Sequence, residues 1–180
     1  MNIFLIGYRC TGKTTVGRSL AGRLGWPFID ADVELVKEHE MTVSQIVSTQ
    51  GWDAFREKET AVIKKLSGLD KHVIATGGGA VLNNENIKNM KKNGVVVWLR
   101  ATPEIIRSRM AKDEKTKDLR PSLTSKGLHN EIEATLLSRK PFYENAMDFC
   151  VDTDDLCVED ICSAVINNIM HSHAGALERG

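Results

Sequence analysis

The chain has no excess of either charge: 24 Lys and Arg stand against 24 Asp and Glu across 180 residues. A balanced surface offers nothing to hold a polyanion, so nucleic acid is not expected as the main partner and each basic residue is read singly. Cysteine is sparse. Cys10, Cys150, Cys157 and Cys162 form no C-x-x-C pair and have no His-rich neighbourhood, which argues against a zinc site and a disulfide framework, leaving most of them as small buried hydrophobes. Long apolar runs are missing too. The first one, Ile3-Phe4-Leu5-Ile6, is four residues long, too short for a signal peptide or membrane span, and the expectation is a cytoplasmic protein that does not engage a membrane. Repeats, linkers and low-complexity segments are lacking as well. One domain over 1–180 is expected, with its core in 1–170 and a frayed tail at 171–180.

What is present starts directly after that run. Gly7-Tyr8-Arg9-Cys10-Thr11-Gly12-Lys13-Thr14 reads G-x-x-x-x-G-K-T, between an apolar strand and an amphipathic helix, Thr15 to Leu24. A glycine-rich turn there aims backbone N–H groups inward as an anion nest, and the helix adds its positive dipole end. Lys13 supplies a mobile charge, and the Thr14 hydroxyl can ligate the magnesium that accompanies a nucleoside triphosphate.

Further strands are read at Phe28–Asp30, Val73–Thr76, Val95–Leu99 and Phe149–Val151, so that apolar strands alternate with helices of crossover length. That alternation predicts a parallel sheet covered on both faces. The helices fall at Val33–His39, Val43–Gln50, Trp52–Leu69, Asn83–Lys92, Thr102–Ala111, Leu128–Arg139 ahead of Pro141, and a closing one through Val158, Ile161, Val165 and Ile169. Residues 112–118 are charged and without apolar period, so they read as a surface loop.

The polar residues narrow the chemistry. No N-K-x-D guanine signature occurs, and strands three and four end in Thr76-Gly77 and Leu99-Arg100, so neither offers a carboxylate for a metal. Asp30 is the nearest candidate. Asp32, two residues on, faces the same crevice if the backbone stays extended; the alternative is a helix cap. Arg56 and Glu59 are spaced as an i, i+3 pair, either a fixed pose or a solvated surface pair. Gly77-Gly78-Gly79 closes a strand, as a close approach to a ligand or as a plain turn.

Taken together, the loop at 7–14, Asp30-Ala31-Asp32, Phe55-Arg56-Glu57-Lys58-Glu59, Thr76-Gly77-Gly78-Gly79, Leu119-Arg120-Pro121-Ser122-Leu123 and Arg139 ahead of Pro141 resemble a shikimate kinase over nearly the whole chain. The resemblance implies a P-loop NTPase-type α/β/α fold like the nucleoside monophosphate kinases, with five parallel strands in the order 2-3-1-4-5, an acceptor-binding region near 31–60 and a lid near 112–124. It implies transfer of the γ-phosphoryl of ATP to the 3-hydroxyl of shikimate, with one Mg2+ per site, in a monomer. Asp32 would be the base or orienting group, Arg56 and Arg139 would clamp the acceptor's carboxylate, Gly78 and Gly79 would present backbone N–H groups, and Glu59 would hold Arg56. Lys13 and Arg120 would neutralise the transferring phosphoryl, and Thr14 and Asp30 would hold the metal. Cys10, Thr11, Gly12, Thr15, Arg109 and Asp155 would complete the ATP site. Cys10 stands where the family usually has glycine. A catalytically silent nucleotide-binding module and a kinase for another hydroxylated cyclic acid are the rival readings.

Overall fold

The structure is a computed structural model, and it describes residues 1–112 and 128–177, with side chains described through 112 and from 131 to 171. Arg120 and nearly all of the expected lid therefore lie outside the described residues. The elements run β1 (Asn2–Ile6), α1 (Lys13–Leu24), β2 (Phe28–Asp30), α2 (Ala31–His39), α3 (Val43–Ser67), β3 (Val73–Ala75), a 3-10 turn (Ala80–Leu82), α4 (Asn84–Lys92), β4 (Gly94–Arg100), α5 (Pro103–Lys112), α6 (Leu128–Ala146), β5 (Phe149–Asp152) and α7 (Val158–Leu177).

The strands form one sheet in the order β2-β3-β1-β4-β5, every neighbouring pair parallel. Alternation along β1 explains the three layers. Phe4 and Ile6 face a core built with Leu35 of α2, Val62 and Leu66 of α3, Met90 of α4 and Tyr143 of α6. Ile3 and Leu5 face the opposite core, with Val16 and Leu20 of α1 and Ile161 and Val165 of α7. A strand buried on both faces has no polar alternation to show, which is why these runs are continuously apolar. Because β1 lies at the centre, the loop leaving it opens at the crevice where the strand order reverses, the usual ligand position in such sheets.

Several local expectations change. α2 starts at Ala31, two residues before Val33, because the Asp30 side chain caps it by accepting from the N–H groups of Asp32 (3.1 Å) and Val33 (3.5 Å). The backbone is thus not extended through Asp32. α6 does not stop at Arg139 but continues through Pro141 to Ala146. Proline there costs about 3 kcal/mol, yet Tyr143 and Ala146 are fully buried beyond it, and one buried aromatic with its hydrogen bond offsets a cost of that size. Leu137, whose carbonyl loses its helical donor, is 76% exposed, so solvent can serve it. α7 is helical to Leu177, past Met170. The break expected between Gln50 and Trp52 is a kink at Gly51, where φ is 85° and the helix is interrupted. Of the four cysteines only Cys162 is buried; Cys150 and Cys157 are exposed and Cys10 is half-buried.

Candidate active site

Among the described residues, two cavities flank the glycine loop. The first is lined by Tyr8 and Arg9 of the loop, Asp32 of α2, Val43, Trp52, Phe55, Arg56 and Glu59 of α3, Gly77-Gly78-Gly79 after β3, and Arg139 of α6. Asp32, Arg56, Gly78, Gly79, Glu59 and Arg139 are thereby brought together as expected. Arg56 Nη1 donates to Glu59 Oε2 at 2.6 Å, and Glu59 is only 3% exposed, so this is no solvated surface pair. The guanidinium also lies 5.6 Å from the Trp52 ring centre and 5.1 Å from that of Phe55, which limits its rotation. Burial pushes the Glu59 carboxyl above its ordinary value, opposed by the charge and hydrogen bond of Arg56, with Asp32 adding a smaller upward push.

Gly77 and Gly79 are closely approached by side chains of the cavity. A Cβ on Gly77 would come within 2.7 Å of Glu59 Oε1 and 2.8 Å of Asp32 Oδ1. A Cβ on Gly79 would lie 2.7 Å from Arg56 Nη1 and 2.8 Å from its Cζ. The same run takes hydrogen bonds through its carbonyl: Arg139 Nη1 (3.0 Å) and the Tyr143 hydroxyl (2.6 Å) both donate to Gly78 O. Tyr143 stacks on Trp98 with ring centres 5.3 Å apart, and burial pushes its phenol up to about 12, so it stays a donor. The helix that continues through Pro141 is what places Tyr143 one turn beyond Arg139.

The second cavity lies on the other side of the loop, lined by Cys10, Thr11, Gly12, Thr15, Val16, Arg109, Thr153, Leu156, Val158 and Ile161. Arg109 Nη1 donates to Thr153 Oγ1 at 3.0 Å and to Cys10 O at 3.4 Å, linking α5 to the loop. Asp155 is not among the lining residues; its neighbour Leu156 is. Within the loop, Lys13 Nζ donates to Gly7 O (2.8 Å) and Tyr8 O (2.7 Å). Gly12 has φ 95° and Cys10 has φ 61°, so Cys10 takes the left-handed backbone that glycine adopts at no steric cost. A side chain at that position strains one residue of the loop. Thr14 Oγ1 donates to Asp30 Oδ2 at 2.9 Å, while the other oxygen of that carboxylate caps α2.

These two cavities, the first lined by the charged side chains of Arg9, Asp32, Arg56, Glu59 and Arg139, meet at a phosphate loop, as a kinase for a small acceptor requires. The comparisons with known proteins decide which kinase. A family model described as shikimate kinase matches residues 9–170. The chain belongs to the shikimate kinase family. It is 43% identical over 165 residues to the shikimate kinase of Caldanaerobacter subterraneus subsp. tengcongensis, covering 92% of this chain and 94% of that protein. It is 40% identical over 162 residues to shikimate kinase 2 of Yersinia pestis strain Pestoides F, covering 88% and 92%. Among solved structures, the shikimate kinase from Acinetobacter baumannii in complex with shikimate superposes with a TM-score of 0.87 at 32% identity, covering 95% of this chain and 93% of that one. The family's reaction, phosphoryl transfer from ATP to shikimate, is the activity that membership assigns to the chain.

Sequence reading missed Tyr8, Arg9, Trp52 and Tyr143 as parts of the site. For Trp52 a signal existed, an aromatic residue next to a helix-breaking Gly51 and one turn before Arg56. Tyr143 had none, because it follows a proline that marks helix ends far more often than interiors.

Proposed function

We propose that the cavity between Asp32 and Arg139 takes shikimate, and that its 3-hydroxyl receives the γ-phosphoryl of ATP held on the opposite side of the loop, yielding shikimate 3-phosphate and ADP. The observation that carries this reading is the convergence of Asp32, the paired Arg56 and Arg139 on one glycine run beside the phosphate loop. Arg56 and Arg139 present planar forks suited to a carboxylate, which fixes the ring's orientation. Asp32 then accepts the hydrogen bond of the reacting hydroxyl and takes its proton as the bond to phosphorus forms. Lys13 stabilises the charge on the transferring group, and Arg120, from the expected lid, adds to it. Thr11, Gly12, Lys13, Thr14 and Thr15 cradle the phosphates, while Cys10, Arg109 and the segment carrying Leu156 face the nucleoside.

The adjacent hydroxyl and carboxylate of Thr14 and Asp30 are hard oxygen donors 2.9 Å apart, a set that fits Mg2+ together with phosphate oxygens. Thr14 would bind it directly and Asp30 through water, and the ion supplies charge neutralisation between the phosphates. A monomer working in the cytoplasm, with no nucleic-acid partner, completes the reading; no helix among the described residues is long and apolar enough to cross a membrane.

The test is an ADP-release assay with shikimate, quinate, gluconate and AMP offered separately with MgATP. Turnover with shikimate far above the others is expected; a preference for any other acceptor would overturn the assignment. Asp32→Asn should nearly abolish turnover while nucleotide still binds, and a near-normal kcat would remove Asp32 from the mechanism.

A further inference from the structure

Among the described residues, three arginines line the acceptor cavity, and the placement of shikimate above uses Arg56 and Arg139. The third, Arg9, comes from the variable part of the phosphate loop. Its Nη2 donates to Glu131 Oε1 at 3.1 Å across the junction between the loop and α6. Glu131 is almost wholly buried, its side chain 1% exposed against 15% for Arg9. Because this partner is buried and fixed in α6, the hydrogen bond restricts the poses open to the Arg9 side chain. The guanidinium also sits 5.6 Å from the Tyr8 ring centre. Yet Arg9 Nε is buried and meets no acceptor among the described residues. A guanidinium has five N–H donors in a fixed fork; Glu131 engages one Nη of Arg9, and the side chain lines the cavity, where the rest of the fork suits a carboxylate.

Among the described residues, Arg9, Arg56 and Arg139 all line the wall of this one cavity, beside Asp32 and Glu59.

We propose that Arg9 is a third reader of the acceptor's carboxylate and that Glu131 is its positioning residue. This rests on the placement of shikimate given above and extends it: the site selects a hydroxylated ring bearing one negative charge, and part of that selection comes from the phosphate loop itself. Because Glu131 and Arg139 share α6, the same helix sets the pose of two of the three cations.

The test compares shikimate with its uncharged methyl ester at saturating MgATP, as kcat/KM or, if the ester is not turned over, as its Ki against shikimate. In the wild type the acid is favoured. Arg9→Met should lower the acid-to-ester preference by roughly 10-fold, the size expected for a lost hydrogen bond to a charged group, with the KM for ATP changed less than about threefold. Glu131→Gln, which can still accept from Arg9, should keep the preference, and Glu131→Leu should lose it as Arg9→Met does. Arg56→Met serves as the reference. An unchanged preference in Arg9→Met beside a reduced one in Arg56→Met overturns the role of Arg9 and leaves the cavity's assignment standing. An unchanged preference in both overturns the assignment itself, and a defect of Arg9→Met confined to ATP would place Arg9 on the phosphates and refute the proposal. Should Arg9→Met not fold, Arg9→Gln replaces it with the same expected outcomes.

Discussion

Gly79→Ala isolates the packing that orients Arg56. Gly79 has φ −108° and ψ 3°, a backbone that alanine adopts without strain, and replacing a glycine at such a position ordinarily stabilises a protein by about 0.4–1 kcal/mol through the unfolded chain. The methyl group would lie 2.7 Å from Arg56 Nη1 and 2.8 Å from Cζ, so the guanidinium must move. That group ends a flexible side chain, and folding should suffer little. Binding should suffer more, since the displaced fork can no longer both hold Glu59 at 2.6 Å and meet the acceptor's carboxylate. A lost hydrogen bond between charged groups is worth about 1.5–3 kcal/mol, which at 1.4 kcal/mol per decade corresponds to roughly a 10- to 150-fold rise in the KM for shikimate. The assay is steady-state ADP release with each substrate varied in turn, beside a thermal melt. A wild-type KM for shikimate together with a raised Tm would show that Arg56 is not packed on Gly79, and would refute the reasoning.

Tyr143→Phe removes one of two donors on Gly78 O and should lower stability by about 0.5–1.5 kcal/mol, with a few-fold rise in the KM for shikimate; an unchanged melt and KM would detach Tyr143 from the glycine run. Cys10→Gly relieves a left-handed residue at φ 61° and should raise stability by up to about 1 kcal/mol, whereas a lowered Tm would mean that the thiol contributes packing that outweighs the strain. In the wild type, the Cys10 thiol should be alkylated more slowly when MgATP is bound, and equal rates would contradict its place in the nucleotide cavity. The raised pKa of Glu59 means that the folded protein takes up this proton more readily than the unfolded chain. Its contribution to stability therefore falls as pH rises from the ordinary carboxyl value through the raised one. In catalysis the sign is opposite, because protonation frees Arg56. An acid limb in kcat/KM for shikimate is expected at a pH above 4.5, the ordinary value for Glu59, and Glu59→Gln should abolish its dependence on this group; an identical limb in the variant would assign it elsewhere.

The phosphate loop was legible because its spacing is local, and the sheet because buried parallel strands leave continuous apolar runs separated by helix-length segments. That Asp32, Arg56, Gly78, Gly79 and Arg139 gather around one cavity was legible through the order of short motifs along the chain, which no single motif conveyed. What escaped depends on tertiary contacts. The start of α2 moved to Ala31 because one carboxylate of Asp30 both caps that helix and meets Thr14. The passage of α6 through Pro141 is maintained by Tyr143, whose burial against Trp98 no local propensity encodes. Arg9 and Glu131 are 122 residues apart, and neither has a neighbour in sequence that announces the pair. The exposed Cys150 and Cys157 departed from the expected burial because β5 is an edge strand and Cys157 precedes the first turn of α7.

The most direct measurement is a crystal structure of the protein with shikimate and a non-hydrolysable MgATP analogue. The acceptor's carboxylate should lie within hydrogen-bonding distance of the guanidinium groups of Arg56 and Arg139, with its 3-hydroxyl between Asp32 and the terminal phosphate. A shikimate molecule bound with its carboxylate away from both arginines, or with another hydroxyl facing the phosphate, would contradict the account.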